Sequence, residues 1–250
     1  AFLSTGWFDV RSALQDFLED FLASPQGCES ARLEKRGVAA DGHSYVFREF
    51  VDWYGEVGEE KWRSARKVDC ADTPPYGLTI AHISTATASE TLDELIDHFR
   101  EDRTSSFEVG WDHPEGRVRI ADKGRLCDFP GLRRLIVEAM AAYGDERGDV
   151  DHLINVTCRH YVAGSQGLRM HTDYEDWYGE RVYGCVLANT SDASLEFRRA
   201  GTCFLLGEVE GMCLRQEGEA RYEWKHGVAP IRSGRRVSVS WRWFKPEHAR

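Results

Sequence analysis

Two short pieces in the last third of the chain have the residue types for metal chemistry. The first is His171-Thr172-Asp173, and the second is the distant His226. On an extended segment side chains alternate with period 2, so His171 and Asp173 share a face. A histidine arriving from another strand completes two imidazoles and one carboxylate. That donor set suits non-haem Fe(II) without any thiolate, and it leaves coordination positions open for substrate chemistry. After His226 comes Arg236-Val-Ser238-Val-Ser240-Trp-Arg242, a polar–apolar alternation that predicts a strand with Arg236, Ser238, Ser240 and Arg242 on one face. Such a face is costly inside a protein unless anions meet it. Arginine's planar fork suits carboxylates, often bidentately. A small dicarboxylate beside the metal would satisfy the face; the alternative is an edge strand with its charges in water.

These residues resemble the AlkB type of Fe(II)- and 2-oxoglutarate-dependent dioxygenases, which carry His-x-Asp, a distal His, and then Arg-x-Asn-x-Thr-x-Arg. By that resemblance His171, Asp173 and His226 hold Fe(II), while Arg236 and Arg242 hold the cosubstrate 2-oxoglutarate. Ser238 and Ser240 stand where the family has Asn and Thr. Tyr161, in Tyr-Val-Ala-Gly, is similar to the family's tyrosine that reaches the far carboxylate, and Arg159 stands in place of its asparagine. The stretch Tyr222-x-Trp224-x-His226-Gly-Val is also similar to members of the group. The resemblance runs from Tyr76 to Phe244. It implies an α+β fold with a double-stranded β-helix (jelly-roll) core and flanking helices, and hydroxylation of a C–H bond with O₂. It also implies that Arg236 and Tyr161 meet the far carboxylate, with Arg242 nearer the metal beside Asp173.

The resemblance leaves three substrate readings open. One is oxidative demethylation of a nucleobase in DNA or RNA. Another is oxidation of a protein side chain or small molecule. The last is a binding module with a repurposed metal site. In nucleic-acid-repairing members an acidic residue two places after the aspartate ligand faces the base, and Glu175 matches it. Trp177, Tyr178 or Trp111 would then stack on a flipped base. Alternatively these rings cover the end of the barrel and Glu175 is solvated.

Stepping along the chain, Asp72-Thr-Pro-Pro75 is the strongest boundary and predicts an N-terminal extension or small α+β subdomain over 1–74 and the oxygenase-like domain over 75–250. Apolar spacing predicts a helix over 9–23, a hairpin around Asp41-Gly42 and a short helix near Glu59 to Arg66. A strand over Leu78 to Ile83 precedes a helix opened by Ser89 as N-cap, and a second helix is expected over Gly131 to Tyr143. Phe107 to Phe129 is polar and irregular, and the resemblance makes it a lid. Short strands follow from Asp151, with Asn155, Thr157, Arg159 and Tyr161 on one face, then Val182–Leu187, Ser194–Arg198, Thr202–Leu206 and Gly211–Leu214.

The 250 residues suffice for a sizeable core, with eight tryptophans and twelve phenylalanines to fill it. A net charge of −10 argues against a large sequence-independent nucleic-acid surface. Arg117, Arg119, Lys123, Arg125, Arg133 and Arg134 could still form a local basic groove. Seven cysteines, an odd number without C-x-x-C, fit reduced thiols and an intracellular setting, nucleus or cytoplasm. Cys158, Cys185 and Cys203 read as core residues. No long apolar run calls for a membrane, no basic leader is visible, and the missing initiator Met suggests a piece of a longer chain.

Overall fold

The computed structural model describes residues 35–40, 42–111 and 121–249. The helix expected over 9–23, the turn residue Asp41, and Arg117 and Arg119 of the basic run lie outside them. The described chain divides into two compact units, one of 35–40 and 44–70, the other of 42–43 and 71–249.

In the first unit β1 (Lys35–Val38) pairs antiparallel with β2 (Ser44–Tyr45), and β3 (Lys67–Cys70) pairs with β1's other edge. The expected second hairpin strand is cut short. Phe47, Phe50 and Tyr54 fall at helical spacing, so the chain after Tyr45 coils into α1 (Phe47–Tyr54), followed by α2 (Gly58–Ser64). Glu49 caps α1 by accepting from the Val46 N–H at 2.9 Å. Phe50 packs edge-on against Trp62, with centroids 5.3 Å apart.

The second unit starts with β4 (Leu78–His82), α3 (Thr85–Leu95), β5 (Thr104–Gly110) and α4 (Pro130–Ala142). The strands β6 (Ile154–Val162), β7 (Leu168–His171), β8 (Val182–Asn189), β9 (Leu195–Arg199), β10 (Thr202–Leu206) and β11 (Met212–Gln216) follow. A short α5 (Gly218–Tyr222) leads into β12 (Lys225–Val228) and β13 (Arg235–Trp243). One sheet runs β4-β11-β8-β13-β6-β5, and the facing strands run β10-β9-β12-β7. From β6 to β13 the chain alternates between the two except at the β9–β10 hairpin, which stays in the smaller set, and this is the double-stranded β-helix expected from the sequence.

The outer face of the larger sheet is apolar because it carries alternate residues of β6 and β13: Ile154, Val156 and Cys158, then Val237, Val239 and Trp241. Leu95 of α3 and Leu132, Leu135 and Ile136 of α4 bury themselves against it. The inner faces enclose a second cluster, including Leu195, Phe197, Leu214 and Val228. Cys158, Cys185 and Cys203 are buried, as their apolar settings suggested.

Three boundaries differ from the sequence reading. The first helix opens at Thr85, and Ser84, not Ser89, caps it by accepting from the Thr87 N–H at 3.0 Å. Phe107 to Gly110 belongs to β5, paired along β6, so the supposed lid begins as an edge strand of the main sheet. The helix expected from Gly131 starts at Pro130, whose missing N–H costs nothing in the first turn. Glu94 of α3 caps it, accepting from the N–H groups of Gly131 and Leu132.

Candidate metal centre

Strand register brings the two histidines together. His226 on β12 is the direct cross-strand partner of His171 at the end of β7, and their ring centroids are 4.5 Å apart. Gly227 permits the approach, since a Cβ there would lie 2.6 Å from the Leu168 carbonyl oxygen and 2.9 Å from the Met170 sulfur. Asp173 follows just beyond β7, with Oδ2 3.8 Å from His226 Nε2. One donor atom from each of His171, Asp173 and His226 falls within 4.8 Å of the others.

The protonation states suit ligation. His171 Nδ1 lies 2.9 Å from the Arg169 carbonyl, an acceptor only, so Nδ1 donates and Nε2 is the nitrogen left to serve as a ligand. Burial, then the neighbouring His171, lowers the His226 pKa to about 3, so its imidazole is neutral. Burial alone would raise the Asp173 pKa, but Arg242, His226, His171 and Arg221 together pull it below the usual carboxylate value. Two imidazoles and a carboxylate fit a divalent first-row metal.

Arg242 NH1 is 4.0 Å from Asp173 Oδ1, so this arginine stands at the metal end, as expected. Its guanidinium lies over the Tyr178 ring at 4.6 Å. Thr157, Arg159, Tyr161, Arg236, Ser238, Ser240 and Arg242 line one cavity with the triad. Tyr161 is only 1% exposed, and its hydroxyl has no hydrogen-bond partner. A buried orphan hydroxyl in a cavity wall fits a site that takes a polar ligand.

Arg236 differs from the expectation of an open fork. Its Nε donates to Glu208 Oε2 at 2.7 Å and its NH2 to Oε1 at 2.6 Å, while NH1 donates to Ser238 Oγ at 2.7 Å. An internal carboxylate therefore occupies the bidentate position assigned to the cosubstrate, and the Ser238 hydroxyl serves Arg236. The residues fit a metal; they fit a dicarboxylate beside it where its far end is met by groups other than Arg236.

No protein-family model and no curated protein matches the chain. Solved structures resemble it in part. One is a prolyl hydroxylase from Trichoplax adhaerens, in complex with a hypoxia inducible factor oxygen degradation domain peptide fragment. It is 11% identical at a TM-score of 0.49, over 69% of this chain and 86% of that one. Another is an oxidoreductase of the 2OG-Fe(II) oxygenase family from Burkholderia pseudomallei, 14% identical at a TM-score of 0.47, over 70% of this chain and 92% of that one.

None of the residues proposed for substrate lines the cavity of the triad. Glu175 is exposed beyond Asp173. Trp111, Trp177 and Tyr178 gather round Phe244, at centroid distances of 5.9, 6.5 and 5.0 Å. Tyr178 is buried, whereas Trp177 is 41% exposed.

Three contributors were not visible in the sequence. Glu208 is one. Arg221 is another: this buried arginine of α5 donates to the carbonyls of Asp173 at 2.9 Å and Tyr174 at 3.4 Å, fixing the backbone that presents the carboxylate. The third is Glu108 on β5, whose Oε2 accepts from Asn155 Nδ2 and Thr157 Oγ1, both at 2.9 Å. Burial raises its pKa, against the opposing pull of Thr157, Arg242, Asn155 and Arg159.

Proposed function

We propose that the chain is an Fe(II)- and 2-oxoglutarate-dependent dioxygenase. The observation that carries this reading is the His171–Asp173–His226 cluster, donors within 4.8 Å, in a cavity that also holds an orphan tyrosine hydroxyl and arginines. When bound, iron with a 2-oxo acid and O₂ supplies hydroxylation of an unactivated C–H bond. The protein's part is to hold and aim. His171 and His226 offer ring nitrogens, that of His226 neutral, Arg242 helps keep Asp173 anionic, and Arg221 fixes the Asp173 backbone.

For the substrate we propose an alkylated nucleobase in DNA or RNA, where hydroxylation of an N-methyl group releases formaldehyde. Exposed Glu175 supports this, because a carboxylate can accept from an exocyclic amine and favours a cationic methylated base. Tyr174, 77% exposed, is a ring free to meet a base, while Trp177 already stacks on His248 at 5.4 Å; base stacking is worth about 1–3 kcal/mol per base. The second reading, a protein side chain or small molecule, is favoured by the net charge of −10 and by the packing of Tyr178 against Phe244, which takes one ring out of play.

The test is incubation with Fe(II), ascorbate, 2-oxoglutarate and methylated oligonucleotides, followed by mass spectrometry of the bases and assay of succinate. Glu175→Gln should lose demethylation while still forming succinate without substrate. Succinate with a peptide or metabolite and none with any methylated DNA or RNA would replace the first substrate reading by the second. No succinate under any condition would remove the dioxygenase reading itself.

A further inference from the structure

We infer that the far carboxylate of the cosubstrate is gripped by Arg159 and the Tyr161 hydroxyl, and that Arg236–Glu208 is a closed internal pair rather than the clamp. The inference rests on the reading of this cavity as a 2-oxo acid site and assigns the residues that give it selectivity for a dicarboxylate.

Arg236 is already matched. Three of its five N–H donors are engaged, two on the Glu208 carboxylate and one on Ser238, and Glu208 balances its charge. Glu208 is fixed as well: its side chain is 1% exposed, and its carbonyl accepts from Asn189 Nδ2 at 3.3 Å. A cosubstrate that took over Arg236 would leave the Glu208 charge buried and unpaired, which is strongly unfavourable.

Arg159 is in the opposite condition. It stands on β6 directly across from Ser238 of β13, and two residues before Tyr161, so both project from the same strand face into the cavity. Among the described residues it makes no hydrogen bond or ion pair. Glu108 is within its electrostatic reach, but Glu108 Oε2 already accepts from Asn155 and Thr157. Tyr161 adds a buried hydroxyl without a partner. A free guanidinium and an orphan hydroxyl on one wall, with a metal site on the same cavity, make a receptor for a carboxylate at a distance from the metal.

The test is calorimetric titration of the Mn(II)-loaded full chain, without O₂, with 2-oxoglutarate and with 2-oxobutyrate, which has the same chelating end and no far carboxylate. Arg159→Leu should weaken 2-oxoglutarate by about 10–100-fold, the range for a lost hydrogen bond to a charged group. Its 2-oxobutyrate affinity and Mn(II) affinity should stay within about twofold. Tyr161→Phe should act in the same direction by less. The double variant Arg236→Met with Glu208→Leu removes both charges together and should keep 2-oxoglutarate affinity within about threefold. An Arg159→Leu protein that binds 2-oxoglutarate like wild type overturns the inference, as does a folded double variant that binds Mn(II) and loses 2-oxoglutarate. A wild-type protein that binds Mn(II) but neither oxo acid overturns the 2-oxo acid reading itself.

Discussion

Arg236 and Arg242 stand at opposite ends of one strand face and meet opposite fates. Arg236 is closed on a buried carboxylate by two short hydrogen bonds. Arg242 faces Asp173 across 4.0 Å, and its Nε is buried without a partner. The same residue type on the same face thus closes on an internal carboxylate at one end and faces the His171–Asp173–His226 cluster at the other. Alternation along a strand says which side chains share a wall; it does not say which anions they meet.

The comparison breaks most severely if the metal end is wrong. Asp173→Ala, like His171→Ala or His226→Ala, should weaken Mn(II) binding by more than about 100-fold, beyond the loss usual for outer partners, and bring turnover to background. Equilibrium titration of Mn(II) reads this, and an Asp173→Ala chain with wild-type affinity would place the metal elsewhere.

At the closed end the effect should appear in stability. Arg236→Met strands the buried Glu208 charge and should cost about 3–5 kcal/mol. Adding Glu208→Leu should restore most of that, while Arg242→Met alone should cost clearly less. Urea midpoints of the four proteins decide. Equal losses for Arg236→Met and Arg242→Met would erase the distinction between the two ends.

Arg221 sharpens the metal end from behind. Arg221→Met removes the donors to the Asp173 and Tyr174 carbonyls. It should weaken Mn(II) by about 10–100-fold, as changes to groups that orient ligands do. A loss of stability with unchanged Mn(II) affinity would make this residue a packing element alone.

Much of the barrel was legible because its strands alternate cleanly. β6 and β13 present their polar faces inward as read, and His171 and His226 meet because their strands pair in register. Glu208 was illegible for a physical reason. The loop Gly207-Glu-Val-Glu reads as an exposed acidic turn, yet Val209 is 53% exposed while Glu208 is buried, the reverse of their polarities. An ion pair with Arg236 supplies what hydrophobicity would not, and no local pattern encodes a partner that distant. Arg221 was hidden similarly: on a five-residue helix no periodicity shows which side faces inward. Ser84 is hard to tell from Ser89 as the cap because the intervening Thr-Ala-Thr-Ala run carries almost no apolar periodicity.

The smallest expected effect concerns Glu108 on the edge strand β5, opposite Thr157 of β6 and so level with Ser240, between the two arginines of β13. Burial leads its environment and raises its folded-state pKa, despite Thr157, Arg242, Asn155 and Arg159. An acid whose pKa is higher folded than unfolded holds its proton longer in the native state. Stability therefore falls as pH rises from the unfolded value, about 4.3, up to the raised folded value. Glu108→Gln cannot ionise. Because both hydrogen bonds from Asn155 and Thr157 land on the single atom Oε2, an amide oxygen placed there can keep them. The variant should be close to wild type in stability at pH 4 and gain on it towards pH 7, by at most about 1.4 kcal/mol for each unit by which the pKa is raised. Urea unfolding of both proteins across that range measures the difference. If it stays flat, or if wild type gains on the variant as pH rises, then Arg242 and Arg159 hold Glu108 charged, and the group behind Asn155 and Thr157 is anionic rather than neutral.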